Sequence, residues 1–131
     1  DTDRSRGLGD VYKRQLLKYA LRNDTFRKII ESPYHSTPAT NIHPDGITFY
    51  STMFKNLSDT VVTDGQIMGG KTGYTGEAGH CLASFAEIDG TEYILVTGGA
   101  SGTGIPHIND ALTVYNRLGA AAQALNEGEI K

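Results

Sequence analysis

Gly70-Lys71-Thr72-Gly73-Tyr74-Thr75 sets a cation, a hydroxyl and bare backbone within one short stretch. Two readings compete for it, and they predict different folds. Extended to Gly65-Gln66-Ile67-Met68-Gly69-Gly70-Lys71-Thr72, the segment satisfies the phosphate-loop pattern of two glycines, lysine and threonine. A phosphate loop must follow a buried strand and open a helix, so that terminal N–H groups meet the phosphates. Here only Val61-Val62 precede the glycine as apolar residues, and Gly73, Gly76 and Gly79 follow. Each of those glycines costs a helix about 1 kcal/mol relative to alanine. The other long apolar strand also lacks a terminal aspartate to hold magnesium. The residues fit better as an edge strand of an antiparallel sheet, where glycines let another molecule's backbone approach closely.

The surroundings agree with a sheet. Asp64-Gly65 marks a turn before a glycine-heavy strand, Gln66 to Gly73, and Cys81 to Ala86 reads as the next strand. Asp89-Gly90 between two such runs is a strong hairpin signal. Tyr93 to Thr97 is the returning strand, and its unbroken apolar run predicts a central position buried on both sides. Gly98 to Gly104 reads as a loop, after which Asn109 or Asp110 starts a helix that lays Leu112, Val114, Tyr115 and Leu118 on the sheet. On the N-terminal side, Leu16 to Ala20 holds good helix formers. Asp24 is placed to cap a second helix, Thr25 to Glu31, with Phe26, Ile29 and Ile30 on one face, and Ser32-Pro33 ends it. Tyr34 to Asp45 reads as a loop or irregular hairpin, Ile47 to Tyr50 as a strand, and Ser51 or Thr52 as the opening of a short helix. The predicted class is α/β in the α+β sense: an antiparallel meander packed against a C-terminal helix, with a helical N-terminal portion.

Composition bounds the function. The chain has 131 residues, 38% hydrophobic and 21% charged, which is a globular profile of one domain. A net charge of −3 gives no electrostatic support for broad nucleic-acid binding. Cys81 is the single cysteine, so no internal disulfide forms, and no cysteine or histidine spacing points to a zinc site. No metal and no cofactor is expected. Ser5-Arg6-Gly7-Leu8-Gly9-Asp10-Val11-Tyr12-Lys13-Arg14-Gln15 looks like an in-frame translation of a sequencing-library adapter. Residues 1–15 are therefore expected to be an artefactual tail, outside fold reasoning, and residues 16–131 the natural part.

Gly70 to Leu82, GKTGYTGEAGHCL, resembles the lysine–threonine–glycine box of serine D-alanyl-D-alanine carboxypeptidases, the low-molecular-weight penicillin-binding proteins. The similarity extends over about Leu16 to Leu118, taking in Tyr19 to Asn23, Ser51-Thr52-Met53 and the Asp89-Gly90 hairpin. The resemblance implies the C-terminal part of a β-lactamase/transpeptidase-like domain. It implies an activated serine that attacks the penultimate D-alanine carbonyl of a peptidoglycan stem peptide, forms an acyl-enzyme and releases terminal D-alanine. β-Lactams would acylate the same serine. Carried over by position, Lys71 is the catalytic lysine of the box, aiding proton transfer and electrostatics. Thr72 binds the substrate's terminal carboxylate, Gly73 belongs to the same substrate-binding strand, and the Tyr74 amide forms half of the oxyanion hole. The parent is expected outside the cytoplasm, secreted or anchored at the outer face of the cytoplasmic membrane.

Two elements of that family's pattern are missing. No Ser-x-x-Lys occurs, the nearest being Thr52-Met53-Phe54-Lys55, and no Ser-x-Asn or Tyr-x-Asn occurs either. Without the nucleophile, binding and electrostatics persist but no acyl group is made, so the chain alone is expected to be an inactive fragment, with apolar faces exposed. The rival readings are a class A-like β-lactamase fragment and a non-catalytic module that binds peptidoglycan peptides. Among other residues, Cys81 reads as a buried small hydrophobe on a strand. Glu77 reads as a turn carboxylate, and His80 as structural or surface. His107 stands before the last helix, where a structural role competes with attraction of a carboxylate.

Overall fold

The computed structural model describes residues 2–130, with side chains described from Gly9 to Gly128; Asp1 and Lys131, the outer ends of the two segments drawn above, lie outside the described residues. Helix α1 spans Thr2–Ala20 and α2 spans Asp24–Ile30. Residues 2–15 continue Leu16–Ala20 as one helix. A helical shape carries no information about the origin of a segment, since its Asp, Arg, Lys and Gln residues all tolerate a helix.

The cap of α2 falls one residue earlier than expected. Asn23, not Asp24, accepts the Phe26 amide at 3.0 Å, because the capping oxygen must reach the amide three residues on. Asp24 then lies in the first turn, where its charge favours the positive end of the helix. Strands β1 (Tyr34–Ser36) and β2 (Thr48–Tyr50) form the irregular hairpin, pairing Tyr34 with Tyr50. Helix α3, Thr52–Asn56, is capped by Ser51.

The main sheet has four antiparallel strands in the order β3-β4-β5-β6: Val61–Val62, Gly65–Thr75, Gly79–Ile88 and Thr91–Ala100. The expected three-strand meander is present, with the short β3 added. Asp89 and Gly90 make the β5–β6 turn with φ of 50° and 73°. Two positive φ values are what a tight two-residue hairpin turn needs to match strand twist.

The predicted position of the third meander strand needs correction. β6 is at the edge of the sheet and none of its residues is fully buried; β5 is the central strand. The apolar run on β6 has another cause. Helices cover both faces of the sheet, so Leu95 packs towards α4 and Ile94 towards α1 and α2. An edge strand covered on both faces looks like a central one in sequence. The strand also runs on to Ala100, through residues expected to be loop.

Helix α4 spans Pro106–Ile130 and starts earlier than Asn109 or Asp110. Proline suits a first helical turn, where its missing N–H has no partner to lose. Ile108, Ala111 and Tyr115 of α4 are buried against Val62, Ile67, Leu82, Ala86 and Ile88 of the sheet, together with Met53 of α3. On the other face Leu17, Leu21 and Phe85 form a second cluster with Phe26, Ile30 and Met68 around it. Arg27 closes this side: its guanidinium makes two bonds to Glu92 of β6 at 2.8 and 3.0 Å and lies 5.5 Å over the Phe85 ring.

Within the core, Ser84 and Tyr115 share a hydrogen bond of 2.8 Å. Burial pushes the Tyr115 phenol up to about 12, a shift its bond to Ser84 only partly offsets. The folded state thus favours the protonated phenol, and this contribution is complete below the ordinary value of 10.0. It is lost as pH rises from 10.0 towards about 12, by roughly 3 kcal/mol in all. Urea unfolding at pH 9 and pH 11.5 should show that loss, and Tyr115→Phe should remove most of the pH dependence in this range.

Candidate functional site

Strand β4 enters the sheet beneath β3 and leaves it alone. β3 pairs only Val61 with Gln66 and Val62 with Gly65, and the Ile67 amide bonds Thr60. From Gly70 to Thr75 the strand pairs with β5 alone; among the described residues no strand covers its other side. The phosphate-loop reading is thereby excluded, since Lys71 and Thr72 lie mid-strand and open no helix. The edge-strand reading holds for the part of β4 that carries the box.

Register then fixes which way each residue faces. Gly70 pairs with Ser84, Lys71 with Ala83, Thr72 with Leu82, Gly73 with Cys81 and Tyr74 with His80. Strand alternation puts Gly70, Thr72 and Tyr74 on the α4 side with Ser84 and Leu82, and Lys71 and Gly73 on the α1 side. Neighbouring residues on a strand cannot meet a ligand on the same face. The place reachable by both Lys71 and Thr72 is the open edge between the faces. The Lys71 ammonium donates to the Thr72 carbonyl oxygen.

A cleft of about 190 Å³ lies on the α1 side of the sheet, between Lys13 of α1 and Lys71, Thr72, Gly73, Cys81, Ala83, Val96 and Thr97 of strands β4 to β6. Lys71 and Gly70 also line a wider groove of about 680 Å³ between α1, α2 and the β1–β2 hairpin, with Leu16, Ile29 and Phe49 on its walls. This groove is almost wholly apolar, in keeping with the exposed apolar faces expected from sequence. Tyr74 is 66% exposed, so its ring borders the open side of the strand.

The glycines on either side of Lys71-Thr72 do different work. A methyl group on Gly70 would come within 2.5 Å of Met53 Sδ and 2.7 Å of the Ala83 carbonyl oxygen. One on Gly73 would meet nothing within 4 Å. Gly70 is therefore required by packing, whereas the space at Gly73 is open to a ligand's backbone.

Other sequence readings sort themselves by place. Glu77 is in the β4–β5 turn, as expected. Cys81 is half-buried, not fully buried, with its thiol towards the Ala78 and Gly79 carbonyls and a wall of the cleft beside it. His107 is corrected: it lies within the first turn of α4, 5% exposed and stacked on His80, where it meets no carboxylate from solution. His80 is structural, held between Tyr74 and His107. That three-ring stack was not foreseen, because Tyr74 and His107 are joined only by tertiary packing. The described residues hold no cluster of His, Cys, Asp or Glu fit for a metal ion, and no helix long and apolar enough to cross a membrane.

Residues 16–102 match the family model of D-alanyl-D-alanine carboxypeptidases. The chain belongs to this family. The match takes in α2, α3, the whole β3–β6 sheet and all of the box, and it begins where α1 passes from residues 2–15 into Leu16. None of the curated proteins compared with the chain matches it.

Gly70→Ala should destabilise the fold by about 1–3 kcal/mol, the usual cost of overpacking. Gly73→Ala should stay within about 0.5 kcal/mol of the parent. Denaturant midpoints of the two variants check the contrast.

Proposed function

We propose that this chain supplies the substrate-binding strand of a serine D-alanyl-D-alanine carboxypeptidase, a hydrolase that removes terminal D-alanine from peptidoglycan stem peptides through an acyl-enzyme. The observation that carries the reading is the place of Lys71 and Thr72 on a strand edge that no other strand among the described residues covers, within a chain of that family. A peptide can lie along such an edge by adding its own backbone bonds to the open side of β4.

Each residue has a role in that pose. The Thr72 hydroxyl donates to the peptide's terminal carboxylate. Lys71 supplies a fixed positive charge beside it, worth more as the ligand expels water. The bare Gly73 lets the ligand's backbone come close, and the Tyr74 N–H donates to the oxyanion that forms at the scissile carbonyl. The serine nucleophile and its base come from outside these 131 residues, which contain no Ser-x-x-Lys. β-Lactams acylate that serine in the intact parent, and the parent works outside the cytoplasm, secreted or anchored at the outer face of the cytoplasmic membrane.

The missing nucleophile motif favours one alternative, a non-catalytic module that binds peptidoglycan peptides through the same strand. Labelling by a fluorescent penicillin separates the two: a longer native protein containing this domain is labelled if it is an enzyme and unlabelled if it is a binder. A class A-like β-lactamase is less well supported, since the Tyr74-Thr75 and Ala78-Gly79 continuation follows the carboxypeptidase pattern.

The binding step is tested by NMR titration of the chain with diacetyl-Lys-D-Ala-D-Ala. Shifts should concentrate on Gly70 to Thr75. Thr72→Val should weaken binding roughly tenfold, about 1.5 kcal/mol for a lost bond to a charged group. A peptide with its terminal carboxylate amidated should lose at least as much. Unchanged affinity in both cases would refute the assigned role of Thr72.

A further inference from the structure

Behind the exposed end of β4 three rings form a ladder from solvent to core. The Tyr74 ring lies 4.6 Å from the His80 ring with planes tilted by 40°, and His80 stacks on His107 at 4.9 Å with planes 5° apart. Tyr74 is exposed, His80 half-buried and His107 buried. The three residues come from three elements, β4, β5 and α4, so the ladder ties the strand end to the helix. Its inner end is incomplete: His107 Nδ1 is buried and has no hydrogen-bond partner among the described residues.

We infer that His80 and His107 are positioning residues for Tyr74, holding the end of β4 while His107 is neutral and releasing it when His107 takes up a proton. The geometry supplies the reason. Imidazolium carries N–H on both ring nitrogens, and the Nδ1–H would have no acceptor where the ring now lies. A buried cation stacked face to face on a second imidazole is also disfavoured by desolvation and by any charge that ring bears. The first turn of a 25-residue helix adds its own positive end.

The titratable groups around His107 are His80 from β5, Tyr74 beyond it on β4, and Asp110 on its own helix. Burial, then His80, push His107 below its ordinary value of 6.5, and Asp110 opposes them. One proton is taken from solvent, and no covalent bond changes. Because the neutral form is favoured in the folded state, stability is complete above pH 6.5. It declines as pH falls from there to the lowered folded value, below which this group costs nothing further.

The meaning for catalysis rests on the Tyr74 amide being the oxyanion donor, but the ladder can be tested without ligand. Ring and amide NMR signals of the whole chain would be followed from pH 8 to pH 4.5. His107 should titrate below 6.5, and the Tyr74 ring and amide shifts should change with the His107 midpoint. His107→Phe keeps a stacked ring but cannot titrate, and should abolish that change in Tyr74. His80→Ala should leave His107 titrating while Tyr74 no longer follows. Tyr74 shifts that ignore the His107 midpoint, or that follow it equally in His80→Ala, would overturn the inference. The unmodified chain alone decides it if a variant does not fold. If Tyr74 follows His107 but the D-Ala-D-Ala peptide does not bind, the functional reading fails and the ladder stands.

Discussion

The pairing of β4 with β5 governs everything at the site. β5 is buried on both faces at Ser84, Phe85 and Ala86, with Tyr115 bonded to Ser84 on one side and the Leu17–Leu21 cluster against Phe85 on the other. A strand clamped from both faces cannot slip, because moving it by one residue would exchange the side chains fitted to one face with those fitted to the other. β4 inherits that fixed register through its bonds to β5, so the positions of Lys71 and Thr72 are set by packing that lies behind them.

This division explains why β4 carries the adjacent Gly69-Gly70 just before the polar Lys71-Thr72. Up to Gly70 the strand is enclosed, by β3, by Met53 and by the end of α2, where Gly69 lies against the Ile30 carbonyl. Beyond Gly70 the strand is open on the side away from β5. The open edge is thus a consequence of where the pairing with β3 stops. In the proposed function, Lys71 and Thr72 act from opposite faces of the strand and meet only over its bare edge.

Much of this was legible in sequence because the signals are local. Asp89-Gly90 between apolar runs can only be a tight turn, and Gly70-Lys71-Thr72-Gly73 followed by further glycines cannot be the start of a helix. What failed to show were properties set by distant partners. The apolar run of β6 reports that both sheet faces are covered, and an edge strand under two helical layers carries the same pattern as a central one. Asn23 and Asp24 are both good caps, and only the position of the Phe26 amide chooses between them. His107 looked like a residue before a helix; its stack on His80 depends on α4 beginning at Pro106, which turns that side chain into the core.

The most direct test of the central claim is native-state amide hydrogen exchange along β4. In an antiparallel strand paired on one side only, successive amides point alternately to the partner and away from it. The account predicts alternating slow and fast exchange from Gly70 to Thr75, the slow amides being those bonded to β5. Uniformly slow exchange would mean that the edge is covered, and uniformly fast exchange that the pairing with β5 is absent; either result would contradict the account.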